Sequence, residues 1–94
     1  KNNKITPGFS IQVGSFQKIE LAEFLETDLE KKGYSVYVES ALINEMGQAW
    51  YRVFIGRFST KIEAEKIGIK IKELEGLASV IKWHEGANAK VLYD

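Results

Sequence analysis

The chain has 94 residues, which is enough for one compact domain. Its hydrophobic content of 45% and charged content of 28% are typical of a globular protein, and its 13 basic and 13 acidic residues cancel. This balance argues against a general attraction to polyanions, and the absence of cysteine excludes disulfides and thiolate metal sites. No apolar run approaches the roughly 20 residues that span a bilayer, so no membrane contact is expected in this segment.

The first residues are polar. Residues 1–8 read as the end of a linker, and no signal peptide is visible among them. We therefore expect the chain to be a piece of a longer protein whose own start would carry any targeting signal.

The first half predicts a strand, a helix and a strand. Apolar and polar residues alternate over 9–13, which is typical of a half-buried strand, and Gly14 is expected to end it. Residues 18–32 predict a helix that ends at Gly33, and alternation over 34–39 predicts the second strand. The apolar stripe of the helix is Leu21, Ala22, Leu25 and Leu29.

The second half predicts the same order of elements. Aromatic and β-branched residues over 50–55 predict a third strand that ends at Gly56. A helix is expected over 61–75 and a fourth strand over 78–83, while the tail 84–94 has one apolar stretch suited to a short edge strand. The stripe of the second helix is Ala64, Ile67, Ile71 and Leu74.

The two halves repeat at one constant offset, which relates Gly14 to Gly56 and Phe16 to Phe58. Two β-α-β units make the β-α-β-β-α-β order of an α+β, ferredoxin-like fold, here a domain over 9–83. Both helices would cover one face of a four-stranded antiparallel sheet, with strands one and three at its centre. The recurrence of the two phenylalanines favours a packing role for them.

The second face of this sheet has no further layer to cover it. Simple alternation places a set of aromatic and hydrogen-bonding residues there: Ser10, Gln12, Tyr37, Trp50, Arg52, Phe54, Ile81 and Trp83. An exposed apolar patch with polar members usually marks a binding surface. The alternative is that Trp50 and Trp83 belong to the core or lie under the C-terminal tail.

Flat aromatic rings beside amide and guanidinium groups suit two classes of ligand, sugar rings and single-stranded nucleic acid. The architecture does not separate the two classes. Arg52 and Arg57 are the only arginines, which disfavours nucleic acid because such a surface usually carries many cations. A third hypothesis is a protein-interaction domain that pairs through its sheets.

No catalytic constellation is evident. A lone histidine, His84, is expected at the surface after the last strand rather than in a metal site or a catalytic pair with Glu85. Gly14 and Ser15 lack the further glycines and the lysine of a phosphate loop. We expect no enzyme activity, no cofactor and no bound metal.

Two motifs carry a resemblance to a known family. The run Gln-Val-Gly-Ser-Phe at 12–16 and the run Trp-Tyr-Arg-Val-Phe-Ile-Gly-Arg-Phe at 50–58 occur in the order and spacing of a SPOR domain. The chain resembles that family over 9–83. The resemblance implies a ferredoxin-like fold that binds peptidoglycan glycan strands stripped of stem peptides. It also implies a parent protein of division, sporulation or wall hydrolysis, placed outside the cytoplasmic membrane at the septum.

The resemblance also implies site residues on the exposed sheet face. The expected glycan-binding residues are Gln12, Ser15, Trp50, Arg52 and Trp83. Arg57 stands where the family often has proline, at a strand end, and is not expected to touch the proposed face. We expect peptidoglycan as the partner, no nucleic acid, and a monomer for the isolated domain.

Overall fold

The structure is a computed structural model that describes residues 7–42 and 47–85. Its elements follow the predicted order, and the strands form one antiparallel sheet in the order β2-β3-β1-β4. This confirms the predicted β-α-β-β-α-β fold with β1 and β3 at the centre. The elements are β1 Gly8–Phe16, α1 Ile19–Lys31, β2 Val36–Leu42, β3 Ala49–Phe58, α2 Lys61–Glu75 and β4 Val80–His84.

A capping side chain starts α2, and a glycine with a positive φ follows each helix. Thr60 is the N-cap of α2, and its hydroxyl accepts the backbone N–H of Glu63 at 3.1 Å. Gly76 closes α2 in the left-handed conformation, and its N–H donates to the Lys72 carbonyl. The chain after α1 turns at Gly33, whose φ is +97°. Within the described ranges, neither helix is long and apolar enough to cross a bilayer.

The core lies between the helices and one face of the sheet. Its fully or nearly fully buried members are Ile11, Val13, Ala22, Leu29, Val53, Ile55, Ala64 and Ile71. Phe16 and Phe58 pack against this cluster, which confirms their packing role. Leu21 is 51% exposed and Leu74 is 73% exposed, so their predicted places in the apolar stripes were wrong. The buried stripe of each helix is narrower than its sequence suggests.

Two β-bulges interrupt the pairing of β1 with β3. Both strands continue past these bulges and therefore past their predicted ends. Ile11 pairs with Ile55 while Phe9 pairs with Phe58, so β3 carries one extra residue at Gly56. Gln12 pairs with Phe54 while Gly14 pairs with Val53, so β1 carries one extra residue in turn. A bulge reverses the alternation of the residues that follow it. Glycine therefore marks a bulge in each strand rather than its end.

The alternation of β4 differs from the prediction. Ile81 pairs with Ile11 and Trp83 pairs with Phe9, and paired residues point to the same face of a sheet. Ile81 accordingly packs against the core, and the Trp83 ring lies edge-on to the Phe9 ring with centroids 4.9 Å apart. Both residues therefore lie on the helix side, where Ile81 is partly buried and Trp83 remains 54% exposed. Their predicted placement on the opposite face was wrong.

The predicted edge strand in the tail lies outside the described residues, apart from His84 and Glu85. β1 begins at Gly8 and β4 ends at His84, so the sheet extends one residue beyond the predicted domain at each end.

Candidate functional site

The candidate site is the sheet face that points away from the helices, called the open face from here on. The register assigns its members, because residues that pair across strands share a face. They are Ser10, Gln12, Ser15, Tyr37, Glu39, Ala41, Trp50, Arg52, Phe54, Arg57, Val80, Lys82 and His84. The two ends of this face differ in how many hydrogen bonds their side chains make with one another.

The accessible end of the open face consists of Ser15, Trp50 and Arg52. Ser15 pairs directly with Arg52, and Trp50 precedes Arg52 by two residues on β3, so the three side chains share one patch. Uninterrupted alternation would send Ser15 to the helix side with Ile11. The bulge in β1 reverses the alternation and brings Ser15 to the open face, where it is exposed.

Gln12 borders this end and carries an unsatisfied group. It pairs with Phe54 on one side and Val80 on the other. Its Oε1 atom is buried and has no hydrogen-bond partner within the described part of the chain. A buried acceptor without a partner costs about 1–3 kcal/mol. A rotation of the side chain toward an N–H donor on a ligand would remove this cost.

The covered end of the open face is built around Ser10, whose exposure is 0%. The Ser10 hydroxyl accepts two hydrogen bonds, from Tyr37 Oη at 2.7 Å and from Arg57 Nη1 at 2.6 Å. The Arg57 guanidinium also lies 4.2 Å from the centroid of the Tyr37 ring, within cation–π distance. Burial lowers the pKa of Arg57 from its ordinary value. Arg57 is therefore part of the open face, and the expectation that it would not touch this face was wrong.

Aromatic stacking completes the cover. The Tyr37 and Phe54 rings stack with centroids 5.2 Å apart, and Phe54 is 5% exposed. Phe54 was expected among the exposed rings of this face, but its position under Tyr37 leaves little of it for a ligand.

His84 reaches across the open face from one edge strand to the other. Its Nε2 contacts the Glu39 carboxylate, although His84 lies on β4 and Glu39 on β2. The His84 side chain is 11% exposed, and its ring lies edge-on to Tyr37. The expectation that His84 is a surface residue was therefore wrong. The two edge strands meet over this end because twisted sheets coil.

The arrangement provides the groups of a binding surface. The accessible end and the neighbouring Gln12 offer an indole, a guanidinium, a hydroxyl and an amide. Over residues 7–42 and 47–85, no group of three or more histidine and carboxylate side chains is placed to hold a metal ion. Flat ring stacking and hydrogen bonding are the interactions that this surface can make.

Sequence reasoning missed the covered end, although the repeat contains its signal. The offset that relates Gly14 to Gly56 also relates Ser15 to Arg57 and Ser10 to Arg52. In each half, the residue after the bulge glycine faces the other residue type on the neighbouring strand. Ser15 pairs with Arg52, and Arg57 contacts Ser10. Had the bulges been inferred from the repeated glycines, the place of Arg57 on the open face would have followed.

Comparison with known proteins agrees with the geometry. The family model described as the SPOR domain matches residues 6–83. The fold is similar to the SPOR domain of RlpA from Pseudomonas aeruginosa, with a TM-score of 0.66 and 24% sequence identity over 80% of this chain and 97% of that chain. It is also similar to the peptidoglycan binding domain of the B. subtilis cell wall lytic enzyme CwlC, with a TM-score of 0.61 and 25% identity over 90% of this chain and 95% of that chain. No curated protein sequence is significantly similar to the chain.

Proposed function

Because this chain belongs to the SPOR domain family, we propose that it binds bacterial peptidoglycan without catalysing a reaction. Its ligand is the glycan strand stripped of stem peptides, and its site is the accessible end of the open face together with Gln12. Trp83 is not included in this site, because it lies on the helix side of the sheet.

The observation that carries the proposal is the bulge in β1. Without it, Ser15 would point toward the helices, away from Gln12 and Arg52. With it, four residues that match the family pattern lie on one face: Gln12, Ser15, Trp50 and Arg52. A backbone irregularity that gathers polar groups beside an indole supports a ligand site.

Each residue has a role that follows from its chemistry. The Trp50 indole stacks on the C–H face of a sugar ring. Gln12 and Ser15 form hydrogen bonds with acetamido and hydroxyl groups, and an acetamido N–H is a suitable donor for the unsatisfied Gln12 oxygen. Arg52 pairs with the lactyl carboxylate of muramic acid, which is free once the stem peptide is removed. An intact peptide consumes this carboxylate and adds bulk above the sheet, so stripped strands are preferred.

The biological role follows from the ligand. Stripped glycan is made where amidases act on the wall, so a domain that recognises it would recruit its parent protein to the division septum. The parent would be a division or wall-hydrolase protein, and the domain would act outside the cytoplasmic membrane.

The two tryptophans provide a matched test. The isolated chain is incubated with purified peptidoglycan before and after amidase treatment, and the retained fraction is measured. We expect stronger retention on treated material, a large loss for Trp50→Ala, and wild-type retention for Trp83→Ala.

Equal loss for the two variants would contradict the assignment of the site to the open face. Retention on neither material by the wild type would contradict glycan binding itself, and retention of RNA instead would support the nucleic-acid alternative.

A further inference from the structure

Glu39 is placed to compete with the ligand for Arg52. The two residues are direct cross-strand partners, Glu39 on β2 and Arg52 on β3. Opposite charges at directly paired positions of an antiparallel sheet attract each other. An ion pair between them would occupy the guanidinium that the proposed site offers to a carboxylate.

The Glu39 carboxylate instead makes its contact with His84. This contact comes from the far edge strand and draws the carboxylate toward the covered end of the open face. The Glu39 side chain is only 32% exposed, so contacts within the protein shield most of it from water. Across the described ranges, Arg52 forms no ion pair.

We infer that His84 is a positioning residue for the proposed glycan site: by holding the Glu39 carboxylate, it leaves the Arg52 guanidinium available to an anionic group of the ligand. This inference rests on the proposed function. Its physical basis is competition between two carboxylates for one cation. Glu39 is tethered beside Arg52, so its effective concentration there is high once His84 releases it.

Three variants separate this role from a merely structural one: His84→Ala, Glu39→Gln, and the double variant. Binding is measured to amidase-released glycan strands, which carry lactyl carboxylates, and to N-acetylglucosamine oligomers, which carry none. We expect His84→Ala to weaken binding of the charged strands roughly two- to fivefold, the range for a cross-strand ion pair. The uncharged oligomers should bind equally to all variants.

The double variant is the decisive measurement. Since Glu39→Gln removes the competitor, this change alone should leave binding of the charged strands equal to or tighter than wild type, and it should restore binding when combined with His84→Ala. If the contact only stabilises the sheet, Glu39→Gln would weaken binding as much as His84→Ala and the double variant would not recover. That outcome would overturn the inference.

A ligand-free measurement keeps this test independent of the proposed function. The side-chain NMR signals of Arg52 report whether its guanidinium is paired. They should shift in His84→Ala and return to their wild-type positions in the double variant. Unchanged Arg52 signals in His84→Ala would overturn the inference even if glycan binds. Absence of glycan binding by the wild type would instead contradict the proposed function while leaving the Arg52 shift to be observed.

Discussion

The open face has a serine–arginine pair at each of its two ends, and the two pairs differ in burial and hydrogen bonding. In the second half, the bulge presents Arg57, which donates a 2.6 Å hydrogen bond to Ser10 of β1. In the first half, the bulge presents Ser15, whose partner across the strands is Arg52 of β3. Serine and arginine have exchanged places between the repeats.

The exchange matters because of what surrounds each pair. Arg57 and Ser10 are covered by Tyr37, and Ser10 is fully buried. Ser15 is exposed and Arg52 is only partly buried, and within the described ranges Arg52 makes no cation–π contact of the kind that Arg57 makes with Tyr37. One copy of the repeated pair therefore stabilises the fold, while the other has unused hydrogen-bonding capacity.

The largest effect should come from Gly56→Ala, which disturbs the bulge in β3. Gly56 has a φ of +71°, and a Cβ there would lie 2.6 Å from the Phe58 ring. Backbone strain and this clash together should lower the free energy of unfolding by about 3 kcal/mol. Urea unfolding followed by circular dichroism measures the loss.

Gly76→Ala is the matched control for this change. Gly76 has nearly the same φ, +72°, but a Cβ there meets nothing within 4 Å. It should cost only the backbone strain, about 1 kcal/mol. Equal losses in the two variants would mean that the contact with Phe58 contributes nothing and that the bulge tolerates a side chain.

The two arginines should separate stability from binding. Arg57→Ala removes a charged hydrogen bond at the covered end and should lower the free energy of unfolding by about 1–3 kcal/mol. It should leave the affinity for stripped glycan within twofold. Arg52→Ala should change stability by less than about 0.5 kcal/mol, as is usual for surface residues, and weaken glycan binding about tenfold. Unchanged affinity in Arg52→Ala would contradict pairing with the lactyl carboxylate.

The elements were predictable because each helix and strand has a clear period. The residues on each face were less predictable, because alternation is counted along one strand and a bulge reverses it. Only the family resemblance predicted that Ser15 lies on the open face, and the prediction that Arg57 lies away from this face was wrong. Trp83 was misplaced for a different reason: the register of β4 depends on its pairing with Phe9, which a single strand does not encode.

One contact at the covered end was beyond sequence reasoning for a related reason. The contact of His84 with Glu39 joins residues from opposite edges of the sheet. It depends on how strongly the sheet coils, and no local pattern specifies that.

The two serines should show the same separation, with a smaller effect on binding. Ser10→Ala removes the shared acceptor of Tyr37 and Arg57 and should destabilise the domain by about 1–3 kcal/mol, with affinity unchanged. Ser15→Ala should leave stability unchanged and weaken glycan binding about threefold, the effect of one ordinary hydrogen bond. Thermal unfolding and glycan titration measure the two quantities. A reversed result, with Ser15 affecting stability and Ser10 affecting binding, would refute the division of the open face into two ends.

The smallest effect concerns the helices, where the repeat offset relates Glu26 of α1 to Gly68 of α2. Burial, and then repulsion from Glu30 and Glu23, raises the pKa of Glu26 above its ordinary value of 4.5. The charged form is therefore disfavoured in the folded state, so Glu26 lowers stability above its folded pKa. Below 4.5 the carboxyl is protonated in both states, and the penalty disappears.

Glu26→Gln removes this penalty. The variant should be slightly more stable than wild type at pH 7, and the gain should shrink as the pH falls through the folded pKa and vanish by about pH 4. Urea unfolding at both pH values measures the gain, and Glu65→Gln on the exposed side of α2 serves as the control. A gain that persists unchanged at pH 4 would attribute the effect to helix propensity rather than charge. In that case the Glu26 carboxylate would not lower the stability of the folded state, although the equivalent position of α2 is occupied by Gly68.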